Sequence, residues 1–204
     1  IYYYITVMNE NYSHPEMPAG ADKDILKGMY LFREGEKKTE VRVQLLGAGT
    51  ILREVIAAAE LLKTDFDVAA DIWSVTSFNE LRREALAVTR WNLLHPDQPA
   101  KTSHVENCFK GRQGPVVAAT DYMKLYADQI REFIPGKYRV LGTDGFGRSD
   151  TRERLRHFFE VDRFYITVAA LEILAEEGII SAQRDVQAIE KHGIDPEKPN
   201  PAIR

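Results

Sequence analysis

VRVQLLGAGTILREVIAAAELLKTDFDVAADIWSV, residues 41–75, carries the pattern on which the fold turns. A short apolar run over 41–46 leads into the glycine-rich turn Gly47-Ala48-Gly49. Ile51, Leu52, Val55, Ile56, Ala59 and Leu62 then recur on one helical face, and a second short apolar run over 71–75 closes the unit. Strand, amphipathic helix and strand in that order form a crossover, the connection that parallel strands require. Downstream, the same alternation predicts strands at 116–119 and 138–141, and upstream a short one at 29–32. Leu125, Ile130 and Phe133 mark a less regular helical pattern between the last two strands. Ser77-Phe78-Asn79-Glu80 and Ser103-His104-Val105-Glu106 have the serine-to-glutamate spacing in which side chains satisfy the first free amides of a helix. The C-terminal part reads as all helix. Ser149 is placed to cap a segment running to about 159, an apolar helix follows over 163–176, and Ser181 opens a third. Pro196, Pro199 and Pro201 are expected to end ordered structure. The fold class is therefore α/β with a largely parallel sheet.

Composition bounds what such a chain can do. Its 204 residues are 44% hydrophobic and 28% charged, which is ordinary for a globular domain and excludes disorder and collagen-like repetition. Lys and Arg number 27 against 31 Asp and Glu, a net charge of -4, so no global positive field draws in nucleic acid or an anionic membrane. No apolar run approaches the ~18 residues of a membrane span. The single cysteine, Cys108, has no partner for an internal disulfide, which fits a reducing cytoplasm. The chain begins at Ile1 in a dense β-forming run over 1–7, followed by a Pro- and Gly-containing linker over 9–20, and this reads as a cut through a longer protein. Residues 36–40 read as a charged turn.

Two glycine-rich loops follow strands and precede helices, where open α/β sheets place ligands. The first, residues 47–52, has two glycines of a dinucleotide fingerprint but Leu52 in place of the third, and reads as a tight strand-to-helix turn. The second, Gly142-Thr143-Asp144-Gly145-Phe146-Gly147-Arg148-Ser149-Asp150, matches neither that fingerprint nor a phosphate-binding P-loop. Two readings stand for it. Arg148 and Ser149 at a helix start can hold a phosphate or carboxylate, or Arg148 pairs locally with Asp144 or Asp150 and merely stiffens the loop. Gly145 or Gly147 is expected at positive φ, with Phe146 packed inward. His14, His95, His104, His157 and His192 are scattered without zinc-ligand spacing, so no metal site is expected, and Cys108 has no recognisable partner histidine. Arg152, Arg154, Arg156 and His157 alternate with Glu153 and Glu160 and read as a solvated, salt-bridged face.

Several strings together carry a resemblance: Tyr4-Ile5-Thr6 with Asn9-Glu10-Asn11-Tyr12, Val75-Thr76-Ser77-Phe78-Asn79-Glu80-Leu81, Arg90-Trp91-Asn92 with Leu94-His95-Pro96, Thr120-Asp121-Tyr122-Met123-Lys124-Leu125, and residues 138–150. In them the chain resembles the C-terminal end of the homodimeric bacterial pyruvate dehydrogenase E1 component family, over essentially all of its length. The resemblance implies a three-layer αβα domain with a mostly parallel five-stranded mixed sheet, like the C-terminal domain of transketolase. Residues 1–35 would then be the end of the middle, pyrimidine-binding domain and a linker, and 36–204 the C-terminal domain.

It further implies a parent that decarboxylates pyruvate on thiamine diphosphate with magnesium and reductively acetylates the lipoyl group of the E2 dihydrolipoyl acetyltransferase. In that family the cofactor lies in other domains, at the interface of the homodimer. The Gly-Asp-Gly motif of thiamine enzymes is absent, and Asp144-Gly145 stands in a different context. No catalytic or cofactor-binding residue is carried over, so the segment is expected to be structural, dimer-stabilising and inactive alone. Asp144, Arg148 and Ser149 remain the candidates for a loop anion or an interdomain contact. The rival reading is a stand-alone αβα domain that binds an anion or nucleotide at 142–149.

Overall fold

The computed structural model describes residues 2–5, 11–36 and 40–203. In chain order the elements are α1 (Asp22–Lys27), β1 (Met29–Arg33), β2 (Arg42–Ala48), α2 (Leu52–Phe66), β3 (Ala69–Val75), α3 (Phe78–Leu94), α4 (His104–Phe109), β4 (Val116–Ala119), α5 (Lys124–Asp128), β5 (Tyr138–Leu141), α6 (Arg152–Phe158), α7 (Arg163–Glu176) and α8 (Gln183–Lys191), with short 3-10 turns at Gly49–Ile51, Arg131–Phe133 and Pro201–Ile203. The sheet order is β1-β3-β2-β4-β5. All neighbours run parallel except β1, which lies antiparallel along β3 with Met29 opposite Val75. This is the five-stranded mixed sheet of a three-layer α/β fold.

The alternation of side chains along each strand divides the core in two. Val43 and Leu45 of β2, Ile72 of β3, and Val117 and Ala119 of β4 face α2, α7 and α8, where Val55, Leu62, Ile166, Leu171 and Leu174 are buried. Their neighbours Leu46, Trp73, Val116 and Ala118 face the opposite layer, built around Phe78, Leu81, Val105, Phe109 and Ile130 from the α3–α5 side. Each fully buried Leu or Ile contributes about 1.5–3 kcal/mol through removal from water. α7 is apolar nearly all round because it lies between α2 and α8. Gly47 is required by packing: a Cβ there would lie 2.7 Å from the Cα of Leu52.

Several expectations need correction. The 120–135 segment is one short helix and a 3-10 turn, since the chain breaks stride between Asp128 and Arg131. The proline-rich tail does not end the order: Pro201 is buried and Pro201–Ile203 forms a turn. The β-forming run at 1–7 is described only at 2–5, where the backbone is irregular and Tyr2, Tyr3, Tyr4 and Ile5 are exposed. The remainder of that run, and 37–39 of the charged turn, lie outside the described residues.

Candidate functional site

From β2 the chain crosses to β3 on one side, while β4 lies on the other, so the carboxyl ends of β2 and β4 form the switch point of the sheet. Two adjoining hollows open there. The smaller, about 280 Å3, lies between the Gly49–Ile51 turn and the 142–149 loop, and Arg148, Arg152, Arg156 and Asp121 are the charged residues on its wall. The larger, about 740 Å3, lies between segment 12–15 and the ends of β2 and β3. Thr50 and Asp121 line both. The Thr50 hydroxyl is buried and has no hydrogen-bond partner among the described residues.

The 142–149 loop is laced to the β4–α5 connection. The Thr143 amide donates to the Tyr122 carbonyl (2.9 Å) and its hydroxyl to that of Asp121 (2.7 Å), while the Asp144 carboxylate accepts the Lys124 amide (2.9 Å). Gly145 takes φ +102°, and a Cβ there would clash with the carbonyl oxygen of Pro201. Phe146 does not pack inward. It is 80% exposed, because the Gly145 turn that precedes it directs it to solvent. Nor does Arg148 pair with Asp144 or Asp150. Its guanidinium lies 4.1 Å from the centre of the Phe158 ring, and Asp150 instead accepts the Thr151 amide (2.7 Å). Ser149 is exposed and does not cap α6. The hydroxyl of Thr151 accepts the Arg154 amide (3.4 Å), so the helix starts two residues later than the sequence suggested.

Behind the smaller hollow lies a constellation that sequence reading missed. Glu54, 5% exposed on α2, accepts from Arg163 Nε (2.9 Å), Arg163 Nη2 (3.2 Å), the Arg163 amide (3.2 Å) and Arg156 Nη1 (3.2 Å). Burial by itself raises its pKa, but the Arg163 hydrogen bonds and the charges of Arg163 and Arg156 outweigh that and hold the carboxyl below its usual range. Arg156 is thus drawn inward rather than lying on a solvated face, and its Nη2 contacts the Tyr12 hydroxyl (3.2 Å). Arg53 faces the same tyrosine ring at 5.0 Å and donates to the Ser13 carbonyl (3.2 Å), so segment 12–13 is strapped across the start of α2.

The other candidates serve structure. His95 Nδ1 meets the Trp91 carbonyl (2.8 Å) at the end of α3, His104 Nε2 meets the Met29 carbonyl (2.9 Å), and His157 Nδ1 meets Asp162 (2.9 Å). His192 lies between Phe66 and Phe164, and burial lowers its pKa. Cys108 does have a histidine near it, one helical turn away on α4 and hidden from motif reading: His104 Nε2, at 3.5 Å. Burial pushes its thiol up to about 12, so it is no thiolate nucleophile at neutral pH. At the opposite end of the sheet, Asp71 is tied to Arg42 (2.5 Å), Gln44 (2.9 Å) and Arg112 (3.3 Å), which fastens β2 to β3. Among the described residues no three His, Cys, Asp or Glu side chains come together as a metal site, and no helix is long and apolar enough to cross a membrane.

Comparison with known proteins gives this geometry its relatives. Residues 28–162 match the family model described as the transketolase-like C-terminal domain. Proteins named pyruvate dehydrogenase E1 component are similar along nearly the whole chain. That of Pseudomonas aeruginosa is 63% identical over 202 residues, 98% of this chain and 23% of its own length. That of Escherichia coli is 50% identical over 206 residues, 100% of this chain and 23% of its own, and that of Mycolicibacterium smegmatis 44% identical over 196 residues, 96% and 21%. The chain thus spans about a quarter of the length of these relatives. Among solved structures, a transketolase from Pichia stipitis in complex with sedoheptulose-7-phosphate has the same fold, with a TM-score of 0.53 at 14% identity over 80% of this chain and 20% of that one.

Proposed function

Because the chain belongs to the family of transketolase-like C-terminal domains, we propose that it is the C-terminal domain of a pyruvate dehydrogenase E1 enzyme. The observation that carries this reading is the high identity with E1 components across nearly the whole chain. On this reading the parent is a cytoplasmic homodimer that decarboxylates pyruvate and passes the acetyl group to the lipoyl arm of E2. Thiamine diphosphate, when bound with magnesium, supplies the electron sink for that decarboxylation. The residues described here do not fit that group. The Asp144 and Asp150 carboxylates are turned to the Lys124 and Thr151 amides, and no cluster of metal-ligating side chains accompanies Asp121.

The role of these residues is to build and hold a surface. The carboxyl ends of the strands present the 142–149 loop and segment 12–15; the loop is held by the Asp121–Lys124 connection, and the Glu54 hub fixes segment 12–13 against α2 through Arg156. The exposed apolar residues Tyr122, Met123 and Leu125 after β4 and Phe146 after β5 suit contact with the enzyme's other domains or its second subunit. The domain boundary at 35–36 belongs to the same proposal. Assaying the full-length enzyme and the 204-residue chain in parallel tests it. Full-length enzyme with thiamine diphosphate, magnesium and a lipoyl domain should turn over pyruvate, and the chain alone should not. Turnover by the chain alone, or a full-length enzyme that prefers another 2-oxo acid, would overturn the reading.

A further inference from the structure

α3 does not follow the sheet along its whole length. It starts beyond the carboxyl end of β3, where Ser77 caps it, and its last buried residue is Ala85. The return along the sheet is made by α4 and the residues after it. His104 Nε2 meets the carbonyl of Met29, opposite Val75 at the carboxyl end of β3, the Phe109 ring lies 5.3 Å from that of Trp73, and Arg112 reaches Asp71 nearer the start of the strand. From Leu86 to Thr102 no residue is buried. This stretch is nevertheless braced from within. The Asn92 side chain donates to the Lys101 carbonyl (2.9 Å) and accepts the Lys101 amide (2.8 Å), the Trp91 and His95 rings stack with centres 4.4 Å apart, and Lys101 Nζ stands 3.7 Å from the centre of the Trp91 ring. The second half of α3 and the segment after it form an arm that stands off the core.

Arg82, Leu86, Arg90 and Leu93 follow one another at helical spacing on the outer face of the arm and its root, with Leu94 beside them. Leu93 is 76% exposed and Leu94 55%. Scattered single leucines on a surface are ordinary, but a stripe of them on a braced helix marks a contact. Arg83 is paired with Glu80, and Glu84 is turned to the His104 amide, whereas Arg82 and Arg90 have no carboxylate partner among the described residues. The complement of this stripe is an apolar surface rimmed by carboxylates. A second α3 does not supply it, because packing two such helices antiparallel over Leu86 and Leu93 sets their Arg90 side chains against each other. The root of the arm lies where the chain enters the domain: Thr76, just before the cap, lines the larger hollow together with segment 12–15. Polypeptide upstream of that segment is delivered beside the arm.

We propose that the arm docks on the upstream part of its own polypeptide, with Leu86, Leu93 and Leu94 against an apolar surface and Arg82 and Arg90 paired with carboxylates at its rim. This rests on the reading of the chain as the C-terminal domain of a longer enzyme, and not on the reaction which that enzyme performs.

The experiment is photo-crosslinking of the purified full-length enzyme, with p-benzoylphenylalanine replacing Leu93 and, in a second preparation, Leu94. Irradiation is done without substrate or thiamine diphosphate; the products are sized on a denaturing gel and their crosslinked peptides mapped by mass spectrometry. Both positions should crosslink to Asp- or Glu-containing peptides upstream of this chain, in a product with the mass of a single polypeptide. Adding Arg90→Glu should lower the yield by about fivefold or more, since like charges then face each other, and Arg90→Lys should retain most of it. Thermal melting of the Arg90 variants checks that the fold is kept. No crosslink from either position, or crosslinks confined to residues 1–204, would overturn the proposal. A product of twice the polypeptide mass would overturn it in favour of the second subunit, and a yield unchanged in Arg90→Glu would overturn the acidic rim. An enzyme that crosslinks as expected but does not turn over pyruvate would sink the proposed activity and leave the docking arm standing.

Discussion

Glu54 sits on the inner face of α2, more than a hundred residues away in sequence from the two arginines that surround it. Removing a carboxylate that two guanidiniums share leaves buried charge without a counterion, which costs about 3–5 kcal/mol when the site is fully enclosed. Here the Arg163 side chain is 45% exposed, so its half of the interaction is screened and the expected cost of Glu54→Ala falls to about 2–3 kcal/mol. Urea unfolding at neutral pH measures it. The same pair makes a pH prediction. The folded-state pKa of Glu54 is depressed below its ordinary 4.5, so its contribution is present above 4.5 and is lost as pH falls through the folded value. The stability gap between wild type and Glu54→Gln should therefore shrink on acidification from neutral pH to about pH 3. A gap that stays constant would show that the charge of Glu54 contributes nothing to stability.

Among the elements, α6 shows what the sequence could and could not reveal. Ser149 and Thr151 both have side chains able to cap a helix, both follow the same glycine-rich loop, and propensity does not separate them. The backbone geometry does, because Asp150 accepts the Thr151 amide and the Thr151 hydroxyl accepts the Arg154 amide, which sets the threonine at the start of the helix. Thr151→Ala should accordingly cost about 1 kcal/mol, while Ser149→Ala should stay within about 0.5 kcal/mol. Equal effects in chemical denaturation would put the cap back at Ser149. By contrast, the capping box of Ser103 and Glu106 was legible because it is local: both partners lie within four residues, and the structure has both of its hydrogen bonds. The strands were legible for a related reason. Buried parallel strands are short apolar runs, and β2 to β5 differ from the expected segments by no more than two residues at either end. The Glu54 hub, the outward Phe146 and the stacking of Arg148 on Phe158 were not legible, since each depends on where distant segments meet.

Across the whole molecule, stability is unevenly distributed. The sheet, α2 and α7 share one continuous buried core, whereas α6 has no buried residue of its own and stands on what holds its ends. Thr151 holds the first turn. The last turn is held from the C-terminal tail, where Lys198 Nζ donates to the carbonyls of Phe158 (2.7 Å) and His157 (3.2 Å), pairs with Glu160 (3.1 Å) and lies 5.0 Å above the Tyr165 ring. One ammonium thus satisfies carbonyls that a helix end leaves without partners, and its charge opposes the negative end of the helix dipole. The tail is anchored a second time at Pro201, which is buried and approaches Gly145 of the loop that lines the smaller hollow. The tail, α6 and the 142–149 loop should therefore loosen together when Lys198 is lost. In Lys198→Ala, hydrogen exchange of the α6 amides should speed up by about tenfold or more, since hydrogen bonds from a charged donor contribute about 1.5–3 kcal/mol. The amides of β2 and β3 should keep their protection, because their partners lie in the core away from this cap. Protection of α6 left intact would show that the tail merely rests on the surface. Uniform loss across α6 and the sheet would show that the molecule opens as a single cooperative unit.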